Sequence, residues 1–172
     1  MKNRRIFMGL INKMFSKKSA YVTLSSPLEG TVIPLSGVED EVFSKKILGD
    51  GFAIIPTGRE IHAPTDATID TVFDTGHAVS MTADCGVELL IHCGIDTVKL
   101  KGKGFEPMVK AGQRIKTGDV LLKFDPNVIK DGGYLNTTPV IVLNSDRFSI
   151  ASVSSGDCRV GDKIAELEEK KR

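Results

Sequence analysis

At 172 residues, 41% hydrophobic and 26% charged, the chain has enough apolar material to bury a core, which excludes a disordered or low-complexity class. No apolar run is long enough to cross a bilayer as a helix. The formal net charge of +1 hides an asymmetry: residues 1–28 carry six basic residues and no acid, while the remainder holds 17 basic against 22 acidic. The acidic body has no basic stripe with interleaved aromatics, so it does not read as a nucleic-acid binder.

Residues 1–20, opening "MKNRRIFMGLINKMFSKK", read as a basic amphipathic tail. On a helix, Ile6, Phe7, Leu10, Ile11, Met14 and Phe15 recur at i, i+3 and i+4, with lysines and arginines beside them. The stretch is too short for a secretory signal and lacks a cleavage pattern. It fits a helix lying on an anionic membrane surface through residues 1–18. The plainer alternative is a frayed tail with the natural start at Met8.

Residues 21–172 read as one all-β domain. The runs "YVTLSS", "GTVIPL", "GFAIIP", "ATIDTVF", "HAVSM", "VELLIH", "TVKL", "DVLLKF", "PVIVLN" and "FSIASV" are short, β-branched and broken by Gly, Pro, Asp or Ser. They predict an antiparallel sandwich or barrel. Residues 40–49 and 104–112 are each expected to form a helical turn or two, and the ending "DKIAELEEKKR" carries an amphipathic pattern. A weak repeat also appears. "SPLEGTV" (26–32) matches "APTDATI" (63–69) in layout, and "AGQRIKTGDVLL" (111–122) resembles "SGDCRVGDKIAEL" (155–167). Two copies of a half-motif suggest pseudo-twofold character; common turn chemistry is the alternative.

Chemistry concentrates in "TGHAVSMTADCGVELLIHCGIDTVKLKGKGF" (75–105), which holds two of the three histidines. If "HAVSMT" and "GVELLIH" form a hairpin turning on Asp84-Cys85, with Ala83 facing Gly86, then His77 faces His92. Their Cβ atoms would lie about 4.5–5.5 Å apart on one face with Glu88 and Leu90. Val87, Leu89, Ile91 and Cys93 would then point into the core. The three cysteines include no CxxC pair, so neither a disulfide framework nor a zinc ribbon is suggested and a reducing cytoplasm is the simplest compartment.

Three uses of a facing histidine pair compete. The rings can be a hydrogen-bonded structural pair. They can be two ligands of a zinc site, but a third ligand is hard to find, because Cys93 alternates away and His62 lies in another segment. Or they can carry a phosphohistidine relay. A neutral imidazole is a nucleophile near neutral pH, a second imidazole disfavours double protonation, and it can donate to a phosphoryl oxygen. Thr75, two residues before His77, can fix that ring's tautomer.

These residues, with "VFSKKILGDGFAIIPTG" and "APTDATIDTVFDT", resemble the glucose-type enzyme IIA of the bacterial phosphoenolpyruvate:sugar phosphotransferase system from about residue 21 to 168. The resemblance implies an antiparallel β-sandwich. It implies His92 as the residue phosphorylated by phospho-HPr, with transfer onward to a cysteine on the IIB domain of a sugar permease. His77 becomes the ring that stabilises the phosphoryl group, and Thr75 its orienting hydroxyl. A docking surface follows by the same resemblance: Val42, Phe43, Ile47, Leu48, Phe73 and Leu90, with Asp40 and Asp96 facing a basic carrier. Leu90 and Cys93 depart from relatives that have aromatics there, and His62 matches no catalytic position. The expectation is a cytoplasmic relay, peripheral at the inner membrane face through its tail, needing no metal or cofactor and not an enzyme in the strict sense. The alternatives are a regulatory binding module read by non-transport partners and, more remotely, a zinc hydrolase on a related β-fold.

Overall fold

The computed structural model describes residues 21–171; the tail reading on residues 1–18 lies outside them. Fourteen strands occur in chain order: β1 (Tyr21–Ser25), β2 (Gly30–Pro34), β3 (Asp50–Pro56), β4 (Glu60–His62), β5 (Ala67–Val72), β6 (Ala78–Ala83) and β7 (Glu88–His92), followed by β8 (Phe105–Pro107), β9 (Arg114–Ile115), β10 (Val120–Phe124), β11 (Thr138–Val142), β12 (Phe148–Val153), β13 (Gly156–Cys158) and β14 (Lys163–Glu169). Two short helices, α1 (Glu41–Ser44) and α2 (Pro126–Asp131), interrupt them. The β pairings are antiparallel, as the alternating runs imply.

The expected all-β architecture is present, with three local differences. Thr97–Leu100, expected as the strand "TVKL", form a 3₁₀ turn entered through Asp96 in the left-handed region. Residues 105–107 form β8 rather than a helical turn, held by β10 through pairs such as Phe105 with Phe124. The chain end forms β14, the middle strand between β1 and β12. Its Ile164, Ala165 and Leu167 are buried, and an apolar surface on both neighbours outweighs the helical preference of Glu and Lys.

The main sheet has the order β13-β2-β3-β11-β7-β6-β5-β9, and two three-stranded sheets, β1-β14-β12 and β4-β10-β8, accompany it. The order is symmetric about its centre when β13 is matched with β9, β2 with β5, β3 with β6 and β11 with β7, and the turns aligned by the sequence repeat sit at corresponding places in it. Ser25 N donates to Pro64 O and His62 N to Pro27 O, both at 2.8 Å, so the two copies clasp each other reciprocally. Gly118 N reaches Ala63 O just as Gly161 N reaches Ser26 O, and the carboxylates of Asp119 and Asp162 each accept from a backbone N–H three residues earlier. Both glycines have positive φ, 91° and 88°, which a residue with a Cβ adopts only under strain.

The main sheet separates two apolar clusters. On one side, Val79, Met81, Val87, Leu89, Ile91 and Cys93 join the principal core. On the other, Leu35, Val38 and Phe43 cover Ala53, Ala78, Leu90, Ile95 and Ile141. Residues 35–43 and α1 thus roof the second face next to the end of β7, which is where His92 emerges.

Candidate functional site

The β6–β7 hairpin differs by one position from the simplest reading of its sequence. Thr82 pairs with Glu88 and Ala78 with His92, so His77 does not face His92 in the ladder. The reason is Gly86. Gly86 N closes a turn on Ala83 O, Gly86 adopts φ 91°, and Val87, not Gly86, pairs back to Ala83 through Ala83 N to Val87 O at 2.8 Å. A turn followed by a left-handed glycine inserts one residue more than a two-residue loop.

The two rings nevertheless meet. His77 stands one residue outside β6, directly after Gly76 with φ 69°, where the pleat no longer dictates the side-chain direction. Its carbonyl accepts from Cys93 N at 2.7 Å, tying it to the residue after His92. The imidazoles lie edge to face, centroids 4.7 Å apart and planes at 79°. Phe73 and Phe105 flank His77 at 5.7 and 6.4 Å, and Phe43 flanks His92 at 5.2 Å. Alternation correctly places Leu90 on the face of His92 and Leu89, Ile91 and Cys93 in the core.

Each ring has one nitrogen engaged. His92 Nδ1 lies 2.8 Å from Gly94 O. A carbonyl only accepts, so in the neutral ring the proton sits on Nδ1 and Nε2 keeps its lone pair. His77 Nδ1 lies 2.6 Å from Thr75 Oγ1, a hydroxyl that can donate or accept. His77 is only 4% exposed. Burial, and then the neighbouring His92, push its pKa down to about 4. Burial also lowers the pKa of His92, against opposing contributions from the Gly94 carbonyl, Asp40 and Asp96. Both rings are therefore neutral near pH 7, the state in which an imidazole is a nucleophile.

The remaining sequence-derived positions divide. Val42, Ile47, Leu48 and Phe73 are exposed, but Phe43 and Leu90 are 5% and 7% exposed and belong to the second cluster beneath the surface. Phe43 is buried because α1 is amphipathic over a single turn, with Val42 out and Phe43 in. Asp40 caps α1, accepting from Val42 N at 2.8 Å, so it has a structural task besides its charge. Asp96 is exposed, in the left-handed region with φ 59°, and lies 3.4 Å from Lys99 Nζ. Sequence reasoning missed Val98, an exposed apolar side chain beside Asp96, and the Gly94 carbonyl. The signal for the second was present, because a glycine two residues after a histidine lets the chain fold back onto Nδ1.

Cys93 is fully buried and its thiol is pushed up by burial, which suppresses the thiolate. His62 closes β4; its Nδ1 lies 2.9 Å from Gly118 O, at the clasp between the repeats. Among the described residues, no group of three or more His, Cys, Asp or Glu is placed to hold a metal ion. Nor is any described helix long and apolar enough to cross a membrane.

Comparison with known proteins agrees with this geometry. The model of the family described as phosphoenolpyruvate-dependent sugar phosphotransferase system, EIIA 1, matches residues 22–148. The glucose-specific EIIA component of the PTS system of Haemophilus influenzae is 39% identical over 160 residues, covering 91% of this chain and 96% of the relative. The solved structure of the glucose permease IIA from Mycoplasma capricolum superposes with a TM-score of 0.80 at 39% identity, covering 85% of this chain and 95% of that one. With most of its β domain matched by the family model and both relatives covered nearly end to end, the chain belongs to the EIIA 1 family of the phosphoenolpyruvate-dependent sugar phosphotransferase system.

Proposed function

We propose that this chain is a phosphocarrier in sugar uptake that takes a phosphoryl group from phospho-HPr onto Nε2 of His92 and passes it to a cysteine on the IIB domain of a sugar permease. The observation that carries the reading is the pair itself: a buried His77 and a partly exposed His92, both neutral, edge to face at 4.7 Å, with His92 Nδ1 committed to Gly94 O and Nε2 left as the nucleophile. Its family membership supports the same role.

In the forward step the Nε2 lone pair forms the P–N bond while the bond from phosphorus to the donor breaks, its electron pair leaving with the donor. Transfer to the acceptor reverses this, with the thiolate forming P–S as the P–N electrons return to the ring. Phosphoryl transfer requires mostly positioning and charge stabilisation. As Nε2 binds phosphorus the imidazole becomes cationic, so the Nδ1–H bond to Gly94 O becomes charge-assisted and strengthens as the reaction proceeds. Asp40 and Asp96 act on the same charge. His77 donates from Nε2 to a phosphoryl oxygen when Thr75 donates its hydroxyl proton to Nδ1, which makes Thr75 the switch of that tautomer.

Val42, Ile47, Leu48 and Phe73 form the apolar surface that excludes water from the labile P–N bond, with Phe43 and Leu90 supporting it from below. Asp40 and Asp96 orient a basic partner. The basic tail brings this cytoplasmic carrier to an anionic membrane surface. The test is incubation with labelled phosphoenolpyruvate, enzyme I and HPr, then peptide mapping in alkali. HPr-dependent label on the His92 peptide is expected; its absence, with both carriers active on a control protein, overturns the proposal.

A further inference from the structure

Thr97 lies five residues beyond His92, and its side chain is completely buried, an unusual place for a hydroxyl. Its Oγ1 donates to Cys93 O at 2.5 Å, and its Cγ2 packs against Gly94, where an added Cβ would meet it at 2.5 Å. These contacts fall on consecutive peptide planes. A peptide unit is rigid, so fixing one end of it fixes the other. The Cys93–Gly94 plane is held at its carbonyl by Thr97. The Gly94–Ile95 plane is held at its N–H, which donates to Leu135 O at 2.9 Å. Its other end is the carbonyl that accepts from His92 Nδ1. Between the two planes stands Gly94 with φ 80°, the most permissive backbone in the loop. Left free at Cys93 O, this glycine would let its carbonyl swing away from the ring.

We propose that Thr97 is a positioning residue for His92: by holding the Cys93–Gly94 peptide it aims the Gly94 carbonyl at Nδ1, and so determines which ring nitrogen carries the proton and which is free to react. The preceding peptide, His92–Cys93, is held as well, since Cys93 N donates to the backbone carbonyl of His77. Thr97 thus acts through Cys93 O, on the peptide unit between the one held at His77 and the one whose carbonyl meets the His92 ring. The importance of this for transfer rests on the reading of His92 as the relay; the tautomer assignment does not.

The experiment reads the tautomer directly. Long-range nitrogen–proton correlation spectra of ring-labelled protein at about pH 8, above the ordinary histidine range, report whether Nδ1 or Nε2 of His92 carries the proton. The full chain is compared with Thr97→Val, which keeps the shape and loses the hydroxyl, and with Thr97→Ser, which keeps the hydroxyl. We expect the native chain and Thr97→Ser to hold the Nδ1–H form and Thr97→Val to show a several-fold rise in Nε2–H. Phosphoryl acceptance from phospho-HPr in Thr97→Val should be about fivefold slower, as expected for one hydrogen bond of ordinary net strength, and Thr97→Ser should restore it. A folded Thr97→Val with an unchanged His92 tautomer overturns the proposal. Should that variant not fold, Thr97→Ala is read in the same way, and an unchanged tautomer there also overturns it. Because the spectra need no phosphoryl donor, failure of His92 to take label would overturn the proposed function while leaving the tautomer result to stand or fall by itself.

Discussion

His77 meets His92 edge to face at a centroid distance of 4.7 Å, and the backbone bond from Cys93 N to His77 O at 2.7 Å holds the two residues in that relation. Each ring has its Nδ1 engaged, by Thr75 and by Gly94 respectively. The pair is therefore asymmetric in role although alike in chemistry. His92→Ala should accept no phosphoryl group. His77→Gln should still be labelled, since an amide can donate to phosphoryl oxygens, but should pass the group to its acceptor on the order of a hundredfold more slowly. Rapid-quench transfer assays decide this, and onward transfer at the native rate in His77→Gln would remove His77 from the mechanism.

Burial of the pair also makes stability depend on pH. The folded chain binds a proton at His77 with a pKa near 4, against the ordinary 6.5. Between those values the unfolded chain binds more protons, so stability is full above pH 6.5 and declines as pH falls toward 4, by roughly 3 kcal/mol for the whole window. Burial of His92 acts in the same direction. Asp66 is distinguishable, because its pKa, held near 2 first by the Thr117 N–H and then by Lys116, affects stability only below its ordinary 3.8. Urea unfolding at a series of pH values should show the decline, and His77→Gln should flatten it. An equally steep profile in that variant would assign the dependence elsewhere.

Asp40 combines a cap with a charge, and two substitutions separate them. Asp40→Asn retains an oxygen for Val42 N and should leave stability within about 0.5 kcal/mol, while slowing association with a basic carrier and weakening its salt dependence. Asp40→Ala should lose about 1 kcal/mol as well. Stopped-flow association beside thermal unfolding tests both, and a native on-rate in Asp40→Asn would confine the residue to capping.

Deleting residues 1–18 should leave phosphorylation in solution unchanged and weaken binding to anionic vesicles by about fivefold for each basic residue that reaches the surface, at about 1 kcal/mol apiece. Equal binding of both forms would remove the membrane role.

The all-β class was legible in short runs such as "ATIDTVF" and "PVIVLN", because alternation and breakers are local properties. The clasp between Pro27 and Pro64 was legible as a repeat but not as a contact, since its reciprocal bonds join segments nearly forty residues apart. β14 was legible as a strand only through the repeat, in which Gly161-Asp162 precedes it as Gly118-Asp119 precedes β10. Glu and Lys in "KIAELEE" favour helix, and only the facing strands β1 and β12 reverse that preference.

Site residue types and spacing were open to reading in the sequence: two histidines about a tight turn, Thr75 two residues before one and Gly94 two after the other. Local chemistry determines that much, since a hydroxyl or carbonyl two residues away is within reach of a ring nitrogen. Tertiary structure decided the rest. Gly86 shifted the ladder by one residue, the strand end at Gly76 freed His77 from the pleat, and the roof over the second face buried Phe43 and Leu90 beneath the surface they were expected to form. The first is a matter of local turn geometry, but the burial of Phe43 and Leu90 depends on where distant segments pack, and a linear pattern carries no record of burial.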